Sequence, residues 1–209
     1  MPFERFIASQ FRQPSGWFGS LVAGRLMNFA NRRIVDTTLA LLAPQPQHQV
    51  LDVGFGGGYG LARLADLLTD GMVSGVDFAP DMVRQVERRF RHQIAQGRLQ
   101  VQLGDVSRLP FPAETFDRVL TINTIYFWPD ATQGLSEILR VLKKEGRAAV
   151  SIRSKEKMQK VAFTQHGFRL FSPDEVAALM REAGFRDVRV DHRDQDKLYD
   201  QAVVLGTRP

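Results

Sequence analysis

The chain has 209 residues, a formal net charge of +5 and no cysteine, a length that suits one domain with a sizeable core. Without cysteine there are no disulfides, thiolate metal sites or cysteine nucleophile, no metal is expected, and no run approaches the roughly 20 apolar residues of a membrane helix. The opening M-P-F-E-R-F-I-A-S-Q carries Glu4 and no long apolar stretch, so a cytoplasmic location is expected, and the scattered arginines read as a solvated basic surface.

Residues 1–48 carry five Arg against Glu4 and Asp36. The stretch Arg12-Gln-Pro-Ser-Gly-Trp17-Phe18-Gly19 has the Pro and Gly of a turn beside two aromatics. From Ser20 to Leu42 the apolar residues Leu21, Val22, Met27, Phe29, Ile34, Val35, Leu39 and Leu42 fit one helix or two short ones. Ala43-Pro-Gln-Pro stops it, because proline cannot continue a helix. Two readings stay open: a packing extension on the sheet edge, or a lid over the ligand.

Gln49–Gly60 is the organising stretch. Val50, Leu51 and Val53, broken only by Asp52, read as a buried parallel strand. Gly54, Gly56, Gly57, Gly58 and Gly60 then turn the chain into the helical pattern beginning at Leu61. A strand, a glycine turn and a helix start make a nucleotide-like site, since glycine admits positive φ and close ligand approach. The dinucleotide fingerprint needs Gly at its first, third and sixth places. Its sixth place is Tyr59 counted from Gly54 and Leu61 counted from Gly56, so that pattern fails in both frames.

Met72–Asp77 is the second strand, with a helix starting at Phe78-Ala-Pro-Asp81. An acid about twenty residues past the glycines can accept both hydroxyls of a ribose, which makes Asp77 a ligand candidate, with helix capping as its bland role. Leu99–Val106 is the third strand and its exit, and the prolines of Ser107–Pro112 predict an irregular crossover. Phe116–Ile122 is the fourth strand; Asn123–Pro129 leaves it at the edge where ligands bind in open α/β sheets. A helix over Asp130–Leu142, a fifth strand over Arg147–Ile152 and a polar, basic stretch over Arg153–Leu170 follow. That stretch is either a substrate-covering insertion or a solvated connection. Ser172-Pro-Asp-Glu175 is a capping box, Gly184 ends its helix, and Phe185–His192 and Gln201–Thr207 read as two final strands.

Gly54-x-Gly56-x-Gly58 behind an acid-containing strand, Asp77, Gly104-Asp105 and the lead-in Leu109-Pro-Phe-Pro112 to Phe116-Asp117 stand in a fixed order. In that order and spacing they resemble class I S-adenosylmethionine-dependent methyltransferases of the small-molecule type, with the motif set of the ubiquinone-biosynthesis and arsenite-methylating groups. The resemblance covers about Gln49 to Ile152 and the last helix with its two strands. It implies an α/β fold: a Rossmann-like, seven-stranded, mostly parallel sheet, the last strand antiparallel, helices on both faces, and an N-terminal helical extension. One domain over 1–209 is expected, with the extension or lid at 1–48, the cofactor-binding core at 49–153 and the substrate-side insertion, last helix and two strands at 154–209. Arsenite methylation as that group performs it needs cysteine thiols, so it is excluded.

The implied cofactor is S-adenosylmethionine, leaving as S-adenosylhomocysteine. The resemblance puts Gly54, Gly56 and Gly58 under its methionine and ribose, Asp77 on the ribose diol, and Phe78 and Met82 beside the adenine. It puts Asp105 and the Val106 N–H on the adenine edge and Asn123 at the methionyl part. The partner is a small-molecule acceptor. Trp17, Phe18, Tyr126, Phe127 and Trp128 are read either as its aromatic cage or as core, and His166 is the base candidate by position. Nucleic acid is disfavoured, because Asn123-Thr-Ile-Tyr126 is not the N-P-P-[Y/F] loop of amino-directed base methylation and C5 chemistry needs cysteine. Two more readings stand beside these: a nicotinamide oxidoreductase, which the missing sixth-place glycine disfavours, and a non-catalytic cofactor-binding module.

Overall fold

The computed structural model describes residues 24–160, 162–165, 167–194 and 200–209, without the side chains of 24–31, 163, 193, 194 and 200. In chain order these form α1 (Gly24–Leu42), β1 (Gln49–Val53), α2 (Tyr59–Leu67), β2 (Met72–Asp77), α3 (Pro80–Arg89), α4 (Arg91–Ala95), β3 (Leu99–Leu103) and β4 (Phe116–Ile122). Then come α5 (Ala131–Val141), β5 (Leu142–Arg153), α6 (Lys155–Gln159), α7 (Pro173–Glu182), β6 (Arg186–Asp194) and β7 (Asp200–Thr207), with 3-10 turns at Ile125–Phe127 and Ala162–Gln165.

The strands make one sheet in the order β3-β2-β1-β4-β5-β7-β6. From β3 to β5 all neighbours are parallel, and β7 runs antiparallel to both β5 and β6. The chain leaves β1 outward to β2 and β3, then returns to β4 on the other side of β1. That reversal opens a crevice at the C-terminal ends of β1 and β4, where ligands bind in such sheets.

Side-chain alternation divides the core between the two faces. Leu51, Val53, Val119, Ala148, Val150 and Val204 face a cluster completed by Leu135 and Ile138 of α5 and Val176 and Met180 of α7. Val50, Val73, Leu120, Ala149 and Val203 face the other, built with Val35, Leu39 and Leu42 of α1, Leu61 and Leu64 of α2, and Met82, Val83 and Val86 of α3. Asp52 falls on this second side by parity, close under Gly60 of α2.

The described part of the N-terminal extension differs from an edge attachment. The edge strands are β3 and β6, whereas α1 lies across the interior strands β4, β5 and β7. Its apolar stripe explains this, because Val35, Leu39 and Leu42 recur at helical spacing and need a broad apolar surface. A buried amide fastens the contact: Gln201 Nε2 donates to Ser151 Oγ (2.8 Å), Thr38 Oγ1 (3.2 Å) and the Ile34 carbonyl (3.2 Å).

The fifth strand also starts earlier than its composition suggests. Leu142 pairs with Phe116 directly out of α5, and the register then jumps to Arg147 opposite Arg118. The intervening residues bulge, with Glu145 at φ 61° and Lys143 reaching Asp117 Oδ2 at 2.9 Å. A bulge of this kind takes up extra residues without breaking the ladder. Asp117 also accepts from the Gln49 N–H at 2.8 Å, which joins β1, β4 and β5 at the end of the sheet opposite the crevice.

The capping box forms as the sequence predicts. Ser172 Oγ accepts from the Glu175 N–H (3.1 Å), and Glu175 Oε2 accepts from the Ser172 N–H (2.6 Å). Ser172→Ala removes one of these bonds and should cost about 1 kcal/mol. Thermal unfolding should show a melting point lower by about 2–4 °C, with no change in the cooperativity of the transition.

Candidate functional site

At the crevice, β1 ends in three glycines with left-handed backbones: Gly54 at φ 76°, Gly56 at φ 51° and Gly58 at φ 75°. Each is required for a different reason. A Cβ on Gly54 would lie 2.5 Å from Thr124 Cγ2, so the turn and the segment after β4 are in close contact. A Cβ on Gly58 would press on Val86 and Phe90 of the α3 region. A Cβ on Gly56 would meet nothing within 4 Å. Gly56 therefore presents bare backbone to open space. Gly58 is also the N-cap of α2, where no side chain caps the helix, so its first N–H groups lack a side-chain acceptor.

Asp77 ends β2 with 6% exposure. Its Oδ2 accepts from the Gly56 N–H and its Oδ1 from the Ala79 N–H, both at 2.9 Å. Burial pushes its pKa up, and the N–H groups of Ala79, Gly56 and Phe78 oppose that shift. A carboxylate has about four acceptor positions, so beside these N–H groups Asp77 keeps capacity for a further donor. Phe78, at 37% exposure, lies on the open side, while Met82, at 1%, is enclosed in the core. Burial, with the Asp77 charge next to it, pushes the neighbouring Asp52 carboxyl up to about 7.

The crossover after β3 is irregular, as its prolines require. Gly104 N–H bonds the Asp77 carbonyl (3.0 Å), and the exposed Asp105 accepts the Ser107 N–H on Oδ1 (2.7 Å). Val106 turns its side chain into the core; among the described residues nothing accepts from its N–H. Helix α5 braces this loop. Glu137 accepts from the Leu109 N–H (2.8 Å), and Arg140 donates to the carbonyls of Phe111 (2.8 Å) and Leu109 (3.1 Å) while pairing twice with Glu137.

Beyond β4, Asn123 takes φ 58° and donates its N–H to the Ser151 carbonyl (2.9 Å), which turns the chain back over the glycines. Tyr126 and Trp128 are core residues here, not the walls of an open cage. Burial pushes the Tyr126 phenol up, and its oxygen accepts from the Arg153 N–H at 2.6 Å. The Trp128 ring packs against Gly134 of α5, where a Cβ would come within 2.7 Å. The half-buried aromatics are Phe127 and Phe168, edge to face at 4.6 Å, and the Arg169 N–H bonds the Tyr126 carbonyl (3.0 Å). Arg153, Phe168 and Arg169 thus lie against the segment after β4. Trp17, Phe18 and His166 lie outside the described residues.

The structure brings Gly54, Gly56, Gly58, Asp77, Phe78, Asp105 and Asn123 to one sheet edge. Sequence reasoning missed Thr121 and Thr124, which bond the turn to its surroundings. Thr121, a polar residue inside an apolar strand, was the one available signal.

The methyltransferase domain family profile matches residues 50–146. An uncharacterised methyltransferase, YdaC of Bacillus subtilis, is 27% identical, the match covering 83% of this chain and 91% of that one. The ubiquinone/menaquinone biosynthesis C-methyltransferase UbiE of Geobacter sulfurreducens is 32% identical over 70% of this chain and 67% of its own. Further curated relatives are longer, and the chain spans less than half of them. Among solved structures, an S-adenosylmethionine-dependent methyltransferase from Aquifex aeolicus superposes with a TM-score of 0.71 at 22% identity, over 84% of this chain and 89% of that one. At that identity the likeness is one of fold.

Two stability measurements check this geometry. Gly54→Ala combines a left-handed alanine with a clash on Thr124, and should cost about 2–4 kcal/mol in urea unfolding. Adding Thr124→Ser removes the clashing Cγ2 and should recover part of that loss. For Asp52, a folded-state pKa above the usual 3.8 means that its contribution is full at low pH and lost as pH rises toward 7. Asp52→Asn should therefore melt progressively higher than the wild type as pH rises from about 4 to about 7, and the difference should level off above that.

Proposed function

This chain belongs to the class I S-adenosylmethionine-dependent methyltransferases, and we propose that its acceptor is a small, largely apolar aromatic molecule of the hydroquinone type. One observation carries the acceptor class: the half-buried Phe127 and Phe168 pair, Phe127 standing three residues after Thr124, whose side chain closes on Gly54 of the turn that would hold the cofactor. An apolar aromatic wall favours a flat apolar molecule through area burial and edge-to-face contact. The name of the Geobacter relative, a quinone-biosynthesis C-methyltransferase, agrees with that chemistry.

The residues at the sheet edge fit the cofactor. Gly56 leaves an open cradle, and Asp77, already bonded by the Gly56 and Ala79 N–H groups, has acceptor capacity left toward a ribose diol. Exposed Asp105 and the Val106 N–H form an acceptor followed by a donor, the complement of an adenine amine beside a ring nitrogen. Phe78, exposed beside Asp77, would cover one side of the base, with Met82 enclosed in the core one turn further on. Asn123 stands at the methionyl end. When bound, S-adenosylmethionine would supply a methyl activated on a sulfonium, which these residues would hold for in-line transfer to the acceptor, the S–CH₃ electron pair staying on sulfur.

The protein's task is then alignment and exclusion of water. Phe127 and Phe168 would hold the acceptor plane, and His166 is assigned the acceptor's proton on its position in the 153–170 stretch. The positive charge gives little support to a nucleic-acid substrate. Arg63, Arg84, Arg140, Arg186 and Arg208 are already paired with Asp36, Asp81, Glu137, Glu145 and Glu114.

Calorimetry should show S-adenosylhomocysteine binding to the wild type and binding weakened at least about tenfold in Asp77→Ala. With labelled S-adenosylmethionine, label should move to hydroquinones and catechols and not to bulk RNA. Phe127→Ala should raise KM for the aromatic acceptor and leave cofactor affinity unchanged. Transfer to RNA alone, or a Phe127→Ala enzyme with unaltered acceptor KM, would refute the acceptor assignment.

A further inference from the structure

Three side chains link the segment after β4 to the glycine turn, and their donor order has a single solution. Thr121 Oγ1 lies 2.9 Å from the Val53 carbonyl, which only accepts, so the Thr121 proton points there. Thr121 and Thr124 hydroxyls are bonded to each other; with the Thr121 proton committed, Thr124 must donate. The Thr124 oxygen in turn accepts from Trp128 Nε1 at 3.2 Å. The order runs Trp128 N–H to Thr124 O–H to Thr121 O–H to Val53 C=O.

The far end of this relay is the first peptide of the turn. Its carbonyl, on Val53, is held by Thr121, and its N–H, on Gly54, is held by the Val76 carbonyl at 2.7 Å. The Thr124 methyl packs on the Gly54 Cα, on the face where a Cβ would clash. The near end is Trp128, whose ring meets Gly134 of α5 beside the Val106 side chain. Ile125–Phe127, which includes Phe127 of the proposed acceptor wall, lies between Thr124 and Trp128.

We infer that Thr124 is a positioning residue that locks the acceptor-side segment to the cofactor-side turn, so that filling one sets the geometry of the other. The inference rests on the glycine turn being the cofactor site. Valine at position 124 keeps the shape and removes the hydroxyl, leaving the Trp128 N–H without its acceptor and Thr121 without its donor. Serine keeps the hydroxyl and removes the methyl. The two substitutions therefore separate the relay from the packing.

The test follows S-adenosylhomocysteine affinity by calorimetry and the Trp128 indole N–H resonance by NMR, with Trp17→Phe assigning the two indole signals. In the wild type the Trp128 signal should move as the product binds. Thr124→Val should bind about tenfold more weakly, the size of change expected when a residue linking two sites is lost, and its indole signal should not follow the titration. In Thr124→Ser the indole response should return. If Thr124→Val does not fold, Thr121→Val breaks the same relay and carries the same expectation. Wild-type affinity with a normal indole response in the valine variant overturns the inference. A wild type that binds no product overturns the cofactor reading beneath it, a distinct result.

Discussion

Every part of the site depends on where the Asp77 carboxylate sits. A carboxylate buried to this degree would be strongly destabilising without hydrogen-bond donors, and the donors it finds are backbone N–H groups from two separate segments. The Ala79 bond fixes how the chain turns from β2 into α3. The Gly56 bond draws the middle of the glycine turn onto the end of β2. Arg89 adds a third tie, from α3 to the Gly57 carbonyl at 3.0 Å. A turn rich in glycine is conformationally permissive, and these contacts select one of its many shapes.

The two ends of the sheet have separate tasks. At the end opposite the crevice, Asp117 bonds the Gln49 N–H and Lys143, and these residues hold strands together. At the crevice, Asp77 and Asp105 keep acceptor capacity and Gly56 stays uncovered. The same residue type is structural at one end and available for a ligand at the other. Topology explains the difference, since the strand order reverses at β1 and β4 and leaves the C-terminal edge uncovered.

Local signals made most of the fold legible. Met72–Asp77 and Phe116–Ile122 stand at the bounds their apolar runs imply, and the Ser172 cap forms as its four-residue signature requires. The start of β5 was not legible, because Lys143–Gly146 reads as a helix stop and only the pairing of Leu142 with Phe116 makes it a bulged strand. Tyr126 and Trp128 illustrate a different limit. Aromatic residues just after a strand suit a ligand cage or a core equally well, and what decides is the close approach of Trp128 to Gly134 and of Tyr126 to Arg153. Thr124 was invisible for a similar reason. Its contacts are with partners three residues back, four residues ahead and in the distant glycine turn.

The position of β7 affects how the molecule is made. This strand is last in sequence yet interior in the sheet, between β5 and β6, and its Gln201 reaches across to α1. A ribosome delivers the chain from its amino end, so β5 emerges with one side unpaired and must wait for roughly fifty residues before its neighbour arrives. An unpaired strand edge of that length is a template for sticking to other nascent chains. Closure of the sheet therefore waits until β7 has cleared the exit tunnel and paired with both β5 and β6.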